Sequence, residues 1–317
     1  MEETRVPIYL ITGFLESGKT SFLNFTLQQD YFQIDGKTLL ILCEEGEEEY
    51  DVEALKQHNT DVEIIESEED LTPERLAAME ILYQPERVII EYNGMWLVSR
   101  FEEMEKPEGW AVEQHITCVD ASTFQVYMAN MKSLFMDMVR NADMVIFNRC
   151  EEDDPLPSYR RSIKVVNQRA EIIFEDEEGE LGDLFEDEMP FDIDAPVIDI
   201  LPEDYGIWFV DAMDHPENYE GKTVKFKARV MKPRGMGSKF FVPGRTAMTC
   251  CADDTTFLGY VCKSAYAPKL NPGEWVEVTA KIGVERRNEY QGEEGIVLYA
   301  DHVEVCEPLA DEMVYFN

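Results

Sequence analysis

Positive charge is what this chain has least of. Only 28 Lys and Arg residues stand against 66 Asp and Glu, and the 317 residues carry a formal net charge of −38. Such a surface repels phosphate backbones and anionic lipid, which excludes nucleic acid and membranes as partners. Acid in this excess keeps the surface solvated or collects metal cations and basic partners. No apolar run approaches the roughly 20 residues that cross a bilayer. Met1-Glu2-Glu3 runs straight into an apolar segment and leaves no room for a targeting sequence. The cysteines number seven, an odd count, which argues against a disulfide framework. Free thiols predict a reducing compartment, and the expected location is cytoplasmic. Histidines number four; His215 and His302, like Cys306, are too scattered to enlist in a site. Hydrophobic residues at 44% and aromatics at 11% still suffice for sizeable cores, and the length suits two domains.

What is present is sharper. Residues 13 to 20 read Gly-Phe-Leu-Glu-Ser-Gly-Lys-Thr, directly after the apolar run Val6-Pro7-Ile8-Tyr9-Leu10-Ile11. A strand that delivers the chain into this octet lets the backbone N–H groups from Gly13 to Ser21 wrap the phosphates of a nucleoside triphosphate. Gly13 and Gly18 supply the turn, Glu16 and Ser17 complete it, Lys19 adds a positive charge, and the Thr20 hydroxyl is placed to ligate Mg²⁺. The following residues have the apolar spacing of a helix, so the phosphates face its positive end.

Strand-like and helix-like segments then alternate. Strands are expected at 6–12, 38–43, 62–65, 87–90, 115–119, 144–147 and 171–174, and helices at 21–29, 73–83, 123–141 and 158–164. This alternation predicts an α/β domain with a mainly parallel sheet over residues 1–175. Residues 176–196 are dominated by Asp and Glu and read as an acidic linker, with a short helix near Leu184-Phe185. Residues 197–317 carry short strand-like segments at 223–231, 239–242, 246–252, 257–262, 274–285 and 295–305, split by turn signals such as Pro233-Arg234-Gly235, Pro243-Gly244 and Asn271-Pro272-Gly273. With a helix entering at 205–215, that pattern predicts a small antiparallel β-barrel of the oligonucleotide/oligosaccharide-binding (OB) type.

Two further strands bear on the phosphate loop. Val88-Ile89-Ile90-Glu91 ends in a carboxylate, which can reach the Mg²⁺ shell or orient the attacking water. Gly94 follows and lets backbone approach the γ-phosphate. Met144-Val145-Ile146-Phe147-Asn148 ends in an amide and continues Arg149-Cys150-Glu151. Asn148 and Glu151 can read the edge of a guanine ring, and the Arg149 stem can cover it.

Gly13-Phe14-Leu15-x-Ser17-Gly18-Lys19-Thr20-x-x-Leu23-Asn24, Glu91-x-x-Gly94, Val119-Asp120-Ala121, Ala142-Asp143 through Asn148, and Asn167-x-Arg169-Ala170-x-Ile172 together resemble the CobW-type GTPases. The resemblance covers about residues 5–175. It implies GTP as the nucleotide, slow Mg²⁺-dependent hydrolysis with Lys19 and Glu91 as the catalytic pair, and Asn167 in the nucleotide site. It also implies work in metal homeostasis or metallocofactor insertion, with a client metalloprotein as partner. A homodimer is the assembly common in the wider class, though the sequence leaves the oligomeric state open. Cys43-Glu44-Glu45-Gly46-Glu47 stands where the family has Asn-Glu-Phe-Gly-Glu, which makes Glu44, Glu47 and Asp51 its acidic positions and Glu44 a further Mg²⁺ candidate. The chain also departs from the family. Residues 63–70 contain no cysteine where a Cys-x-Cys-Cys metal motif is usual, so thiolate capture of a soft metal is excluded there. Arg149 and Glu151 replace Lys and Asp, and Glu16 brings a carboxylate into the phosphate loop.

Met248-Thr249-Cys250-Cys251-Ala252-Asp253 and the later Cys262 resemble the C-terminal domain of permease-subunit proteins with a Cys-Cys-Ala-x-Asp signature. Cys250, Cys251 and Cys262 are candidate Zn²⁺ ligands. Neighbours on a strand face opposite ways, so Cys250 and Cys251 reach one ion only across a bulge. Free buried thiols are the plainer alternative. The function expected overall is a slow GTPase of metal homeostasis. The alternatives are a nucleotide-gated interaction module and, behind it, an ATP-using small-molecule kinase.

Overall fold

The computed structural model describes residues 6–46, 48, 50–182, 189–251, 254–290 and 292–314, without the side chains of 250, 251 and 288. The expected short helix at Leu184-Phe185 lies outside the described residues. The chain divides into two compact units, Met1–Leu156 with Asn167–Leu184, and Pro157–Val166 with Phe185–Asn317.

The first unit contains β1 (Val6–Thr12), α1 (Lys19–Leu27), β2 (Thr38–Leu42), α2 (Val52–Gln57), β3 (Thr60–Ile64), α3 (Pro73–Tyr83), β4 (Arg87–Glu91), α4 (Val98–Glu103), β5 (Trp110–Asp120), α5 (Ala121–Asn130), α6 (Lys132–Val139), β6 (Met144–Asn148) and β7 (Glu171–Phe174). The seven strands form one sheet in the order β3-β2-β4-β1-β5-β6-β7. Every pairing is parallel. All five residues of β4 are buried, as a strand covered on both faces requires.

Local chemistry sets the helix starts. Thr72 caps α3 by accepting from the Arg75 N–H at 3.2 Å, and Pro73 occupies the first turn, where no donor is needed. Asp51 caps α2 and Asp120 caps α5. Helix α1 differs: its N-cap is Gly18 at φ 93°, with no side-chain cap and no acid in the first turn. Its leading N–H groups are left for an anion. The helix expected over 123–141 is broken at Met131, whose φ of −133° separates α5 from α6.

Pro157–Val166, the bulk of α7 (Leu156–Lys164), belongs to the second unit. The unit continues with β8 (Ile198–Asp199), α8 (Tyr205–Asp214), β9 (Thr223–Met231), β10 (Phe240–Cys251), β11 (Asp254–Gly259), β12 (Val261–Lys263), β13 (Trp275–Arg286), β14 (Glu294–Val305) and β15 (Met313–Val314). The order β11-β10-β12-β14-β13-β9-β8, with β9 also paired to β10, closes β9-β10-β12-β14-β13 into a five-stranded ring. The sheet is mixed rather than purely antiparallel, because β12–β14, β8–β9 and β10–β15 run parallel. Trp208, Tyr205, Phe226 and Tyr260 centre its core. Pro243-Gly244, read as a turn, lies inside β10. The strand passes there from β12 and β9 to β11, and a Cβ on Gly244 would stand 2.3 Å from the Leu258 carbonyl oxygen. The pair marks a close crossing, which only glycine permits.

Candidate functional site

The phosphate loop leaves β1 at the centre of the parallel sheet, where strand order reverses and ligands gather in open α/β folds. Three close approaches hold it. A Cβ on Gly13, at φ 138°, would meet the Cys118 carbonyl oxygen at 2.3 Å, and one on Gly18 would meet Asn148 Nδ2 at 2.5 Å. A Cβ on Gly94 would fall 2.4 Å from the Gly13 carbonyl oxygen. Phe14 anchors the loop by stacking on Tyr127, with centroids 4.0 Å apart. Glu16 adopts φ 62° and is exposed, so its carboxylate stands at the rim of the turn.

Lys19 is buried and curls back over the loop. Its ammonium donates to the Gly13 and Phe14 carbonyls at 3.0 and 2.9 Å and to Glu44 Oε2 at 2.6 Å. The loop after β2 thereby places a carboxylate on the charge intended for phosphate. Ser21 donates to Glu48, which also accepts from Asn24 at 3.0 Å. The remaining cavity, lined by Glu16, Lys19, Thr20, Glu44, Glu48 and Glu91 among others, holds only about 60 Å³.

Thr20 Oγ1 donates to Glu91 Oε1 at 2.9 Å, and the Tyr50 hydroxyl donates to the other oxygen of Glu91. Burial pushes the Glu91 carboxyl above its usual range, while the bonds from Tyr50 and Thr20 and the charge of Lys19 draw it back. A hydroxyl and a carboxylate held together at the loop fit a hard cation. Glu47 lies outside the described residues, and Asp51 is spent on capping α2.

Asn148 Nδ2 donates to the Ser17 carbonyl at 2.8 Å, which ties the end of β6 to the loop. Arg149, at φ 53°, donates to the Glu16 carbonyl at 2.9 Å and pairs with Asp120 at 2.5 Å. Two buried acceptors of the cradle, Ser17 Oγ and Asn148 Oδ1, have no protein partner, which suits a site built around a polar ligand. Glu151 is exposed and lines neither the loop cavity nor the groove beside it. Asn167 is also set apart. Its amide donates to the Val139 and Ala142 carbonyls and accepts from the Arg169 and Ala170 N–H groups, so it pins the turn before β7. Tyr50, Glu48 and Asp120 join the site without having been singled out as site residues. Tyr50 carries no motif, and Glu48 is one acid in a run of them.

The side chains of Cys250 and Cys251, and Ala252-Asp253, where a bulge or turn would be needed to bring both thiols to one ion, lie outside the described residues; the register of β10 against β11 shifts between Met248 and Cys251. Cys262 is fully buried, and burial pushes its thiol up to about 12, which disfavours the thiolate a metal needs. Among the described residues no group of three or more His, Cys, Asp or Glu side chains is arranged to hold a metal ion. None of the described helices is long and apolar enough to cross a membrane.

A parallel sheet, a glycine-walled loop after its central strand and an uncapped helix behind that loop define a P-loop nucleotide-binding protein. Residues 7–174, more than half the chain, match the CobW/HypB/UreG nucleotide-binding domain, and the chain belongs to that family of P-loop GTPases. Residues 182–316 match the DUF1980 C-terminal domain. Among solved structures, the hydrogenase maturation factor HypB from Archaeoglobus fulgidus is 17% identical, with 55% of this chain and 83% of that one covered at a TM-score of 0.41. The Zn(II)-bound YjiA GTPase from E. coli is 16% identical, with 82% and 89% covered at a TM-score of 0.44. The mitochondrial single-stranded DNA-binding protein Rim1 from S. cerevisiae is 11% identical, with 28% and 97% covered at a TM-score of 0.18. No curated protein matches the chain.

Proposed function

We propose that the protein binds GTP with Mg²⁺ and hydrolyses it slowly, in the service of metal homeostasis or metallocofactor insertion. The observation that carries this reading is the convergence of Lys19, Thr20 and Glu91 beneath an uncapped helix start. The loop N–H groups and Lys19 cradle the β- and γ-phosphates, and Thr20 with Glu91 would hold Mg²⁺. When bound, the ion neutralises charge on the phosphate oxygens, and phosphoryl transfer asks little more than such positioning. Asn148 and Arg149 flank the base. Turnover is slow because Arg149, the arginine lining the loop cavity, is committed to Asp120 and the Glu16 carbonyl rather than free to reach the γ-phosphate. The second unit, whose five-stranded ring suits an OB-type barrel, serves as the client-facing module; a Zn²⁺ site there would need Cys250 and Cys251.

Calorimetry tests this directly. GTP should bind in the micromolar range with Mg²⁺, ahead of ATP in competition. Glu91→Gln should weaken Mg²⁺-dependent binding about tenfold, the loss of one charge-assisted ligand, while leaving metal-free binding nearly unchanged. Absence of binding at high micromolar GTP would sink the proposal. The restraint on Arg149 also favours a second reading, a nucleotide-gated interaction module with little hydrolysis. Single-turnover assays decide: equal rates for wild type and Lys19→Ala would select the module.

A further inference from the structure

A groove of about 780 Å³ opens on one face of the parallel sheet, beside the phosphate loop and extending well away from it. Its origin is topological. Thr117 and Phe147 face the α5–α6 side, where Thr117 donates to the Met138 carbonyl and Phe147 packs edge-on against Phe124. Ile116, Met144 and Ile146 are one residue out of phase and face the other way. Helix α1 covers the β1 end of that second face with Phe22, Leu23 and Leu27. Within the first unit, the segment after β7 brings Glu175, Asp176, Glu177 and Gly179 to the rim of the groove. A sheet face of this kind is normally covered by a helix.

We propose that the groove docks a basic amphipathic helix of a partner protein. The floor of Tyr9, Gln114, Ile116, Met144 and Ile146 is apolar apart from one amide. At the lip, Phe25 is 64% and Tyr31 78% exposed, an expense of apolar surface with no use in the core. Met144 to Asn148 spans about 13 Å of strand, room for roughly two turns of a helix laid along the face. An extended peptide would instead need a free strand edge, and this is a face. Charge selects the sign of the partner. The rim carries Glu175, Asp176 and Glu177, of which Asp176 also accepts from the Glu178 and Gly179 N–H groups; the lining contains no lysine, and its one arginine, Arg149, is already paired with Asp120. A second copy of the chain would bring another −38 to the same rim, so self-association is opposed. Gly18, Ser21, Asn148 and Arg149 of the proposed nucleotide site form one end of the groove, so the docked helix would occupy the floor beyond them.

The test uses the full chain and a fluorescein-labelled 18-residue helical peptide with Leu on one face and Lys or Arg on the other. A control peptide keeps the Leu face and replaces every basic residue with Glu. Anisotropy should show the basic peptide binding at least about tenfold tighter, and more weakly as salt rises. Met144→Trp with Gln114→Trp fills the floor without changing charge and should cost about tenfold, as blocking a helix groove does. Phe25→Ser with Tyr31→Ser alters only exposed side chains, so the fold is retained, and should cost about fivefold. Equal binding to the filled and wild-type proteins would show attraction by net charge alone and overturn the proposal. So would equal binding of both peptides, no binding, one-for-one displacement by GTP, or self-association that filling abolishes.

Discussion

Lys19 and Glu44 form an ion pair of 2.6 Å in which both side chains are nearly buried, at 3% and 10% exposure. The phosphate-binding charge is thus already answered by the chain itself. The cavity left beside the pair is about 60 Å³. A phosphate that engages Lys19 would have to displace Glu44. Glu44→Gln keeps the shape and removes the competing charge. In metal-free buffer it should tighten GTP binding about tenfold, close to the ~1.4 kcal/mol of a charge-assisted hydrogen bond. Calorimetry in EDTA reads this, and unchanged affinity would show that Glu44 does not restrain the loop.

Gly94 lies outside the octet and is sterically as exacting as the glycines within it. A Cβ there would lie 2.4 Å from the Gly13 carbonyl oxygen and 2.7 Å from Phe14 Cα, both backbone atoms that no rotamer change can move. Gly94→Ala should displace the start of the phosphate loop and destabilise the first unit by about 3 kcal/mol, in the range of core overpacking. GTP affinity should fall at least about tenfold, since a small misplacement of the cradle is costly. Urea unfolding with GTP titration checks both effects.

The parallel sheet was readable because its signals are local: an apolar run, a turn residue, a cap. Pro73–Tyr83 matches its expected bounds because Thr72 and Pro73 mark its start unambiguously. Helices α2 and α4, each six residues, are too short to show a period. The phosphate loop, Glu91 and Asn148 were singled out from strand-end chemistry, and Glu91 and Asn148 both bond to the loop. Tyr50 was not, because its bond to Glu91 joins positions 41 residues apart and leaves no pattern. Asn167 shows the opposite difficulty, a motif residue whose polar atoms are consumed by four backbone groups. The groove beside α1 could not be read at all, since it depends on which alternate residues of β5 and β6 lack a covering helix.

His115 lies beneath the phosphate loop and is buried. Its Nε2 is 3.0 Å from Thr12 Oγ1. Burial lowers its pKa from 6.5 to about 4, against the pull of Asp143, the Asn141 carbonyl and Asp137. The unfolded chain therefore takes up this proton first. Stability is complete above pH 6.5 and falls as pH drops towards 4, by about 1.4 kcal/mol per unit and ~3 kcal/mol in all. His115→Gln retains a partner for Thr12 and removes the titration. Between pH 6.5 and 5, its loss of unfolding free energy should be about 2 kcal/mol smaller than that of the wild type. Parallel losses in denaturant titrations would place the acid sensitivity elsewhere.

Arg245 does for the second unit what the glycines do for the first. It lies buried on β10, 5.7 Å from the centroid of Tyr205, and donates to the carbonyls of Pro202, Asp311 and Met313. One guanidinium thus binds the approach to α8 and the segment that forms β15 to the central strand of the ring. Lysine cannot reproduce this, because three carbonyls in different directions need the planar fork of donors. Arg245→Met fills the volume but strips the donor from three carbonyls at once. It should destabilise the second unit by about 3 kcal/mol, or roughly 10 °C in its melting transition. GTP affinity should not change, because every residue of the proposed nucleotide site belongs to the first unit. Scanning calorimetry with and without GTP separates the two transitions. A shift confined to the GTP-stabilised one would refute the assignment of Arg245 to the second unit's framework.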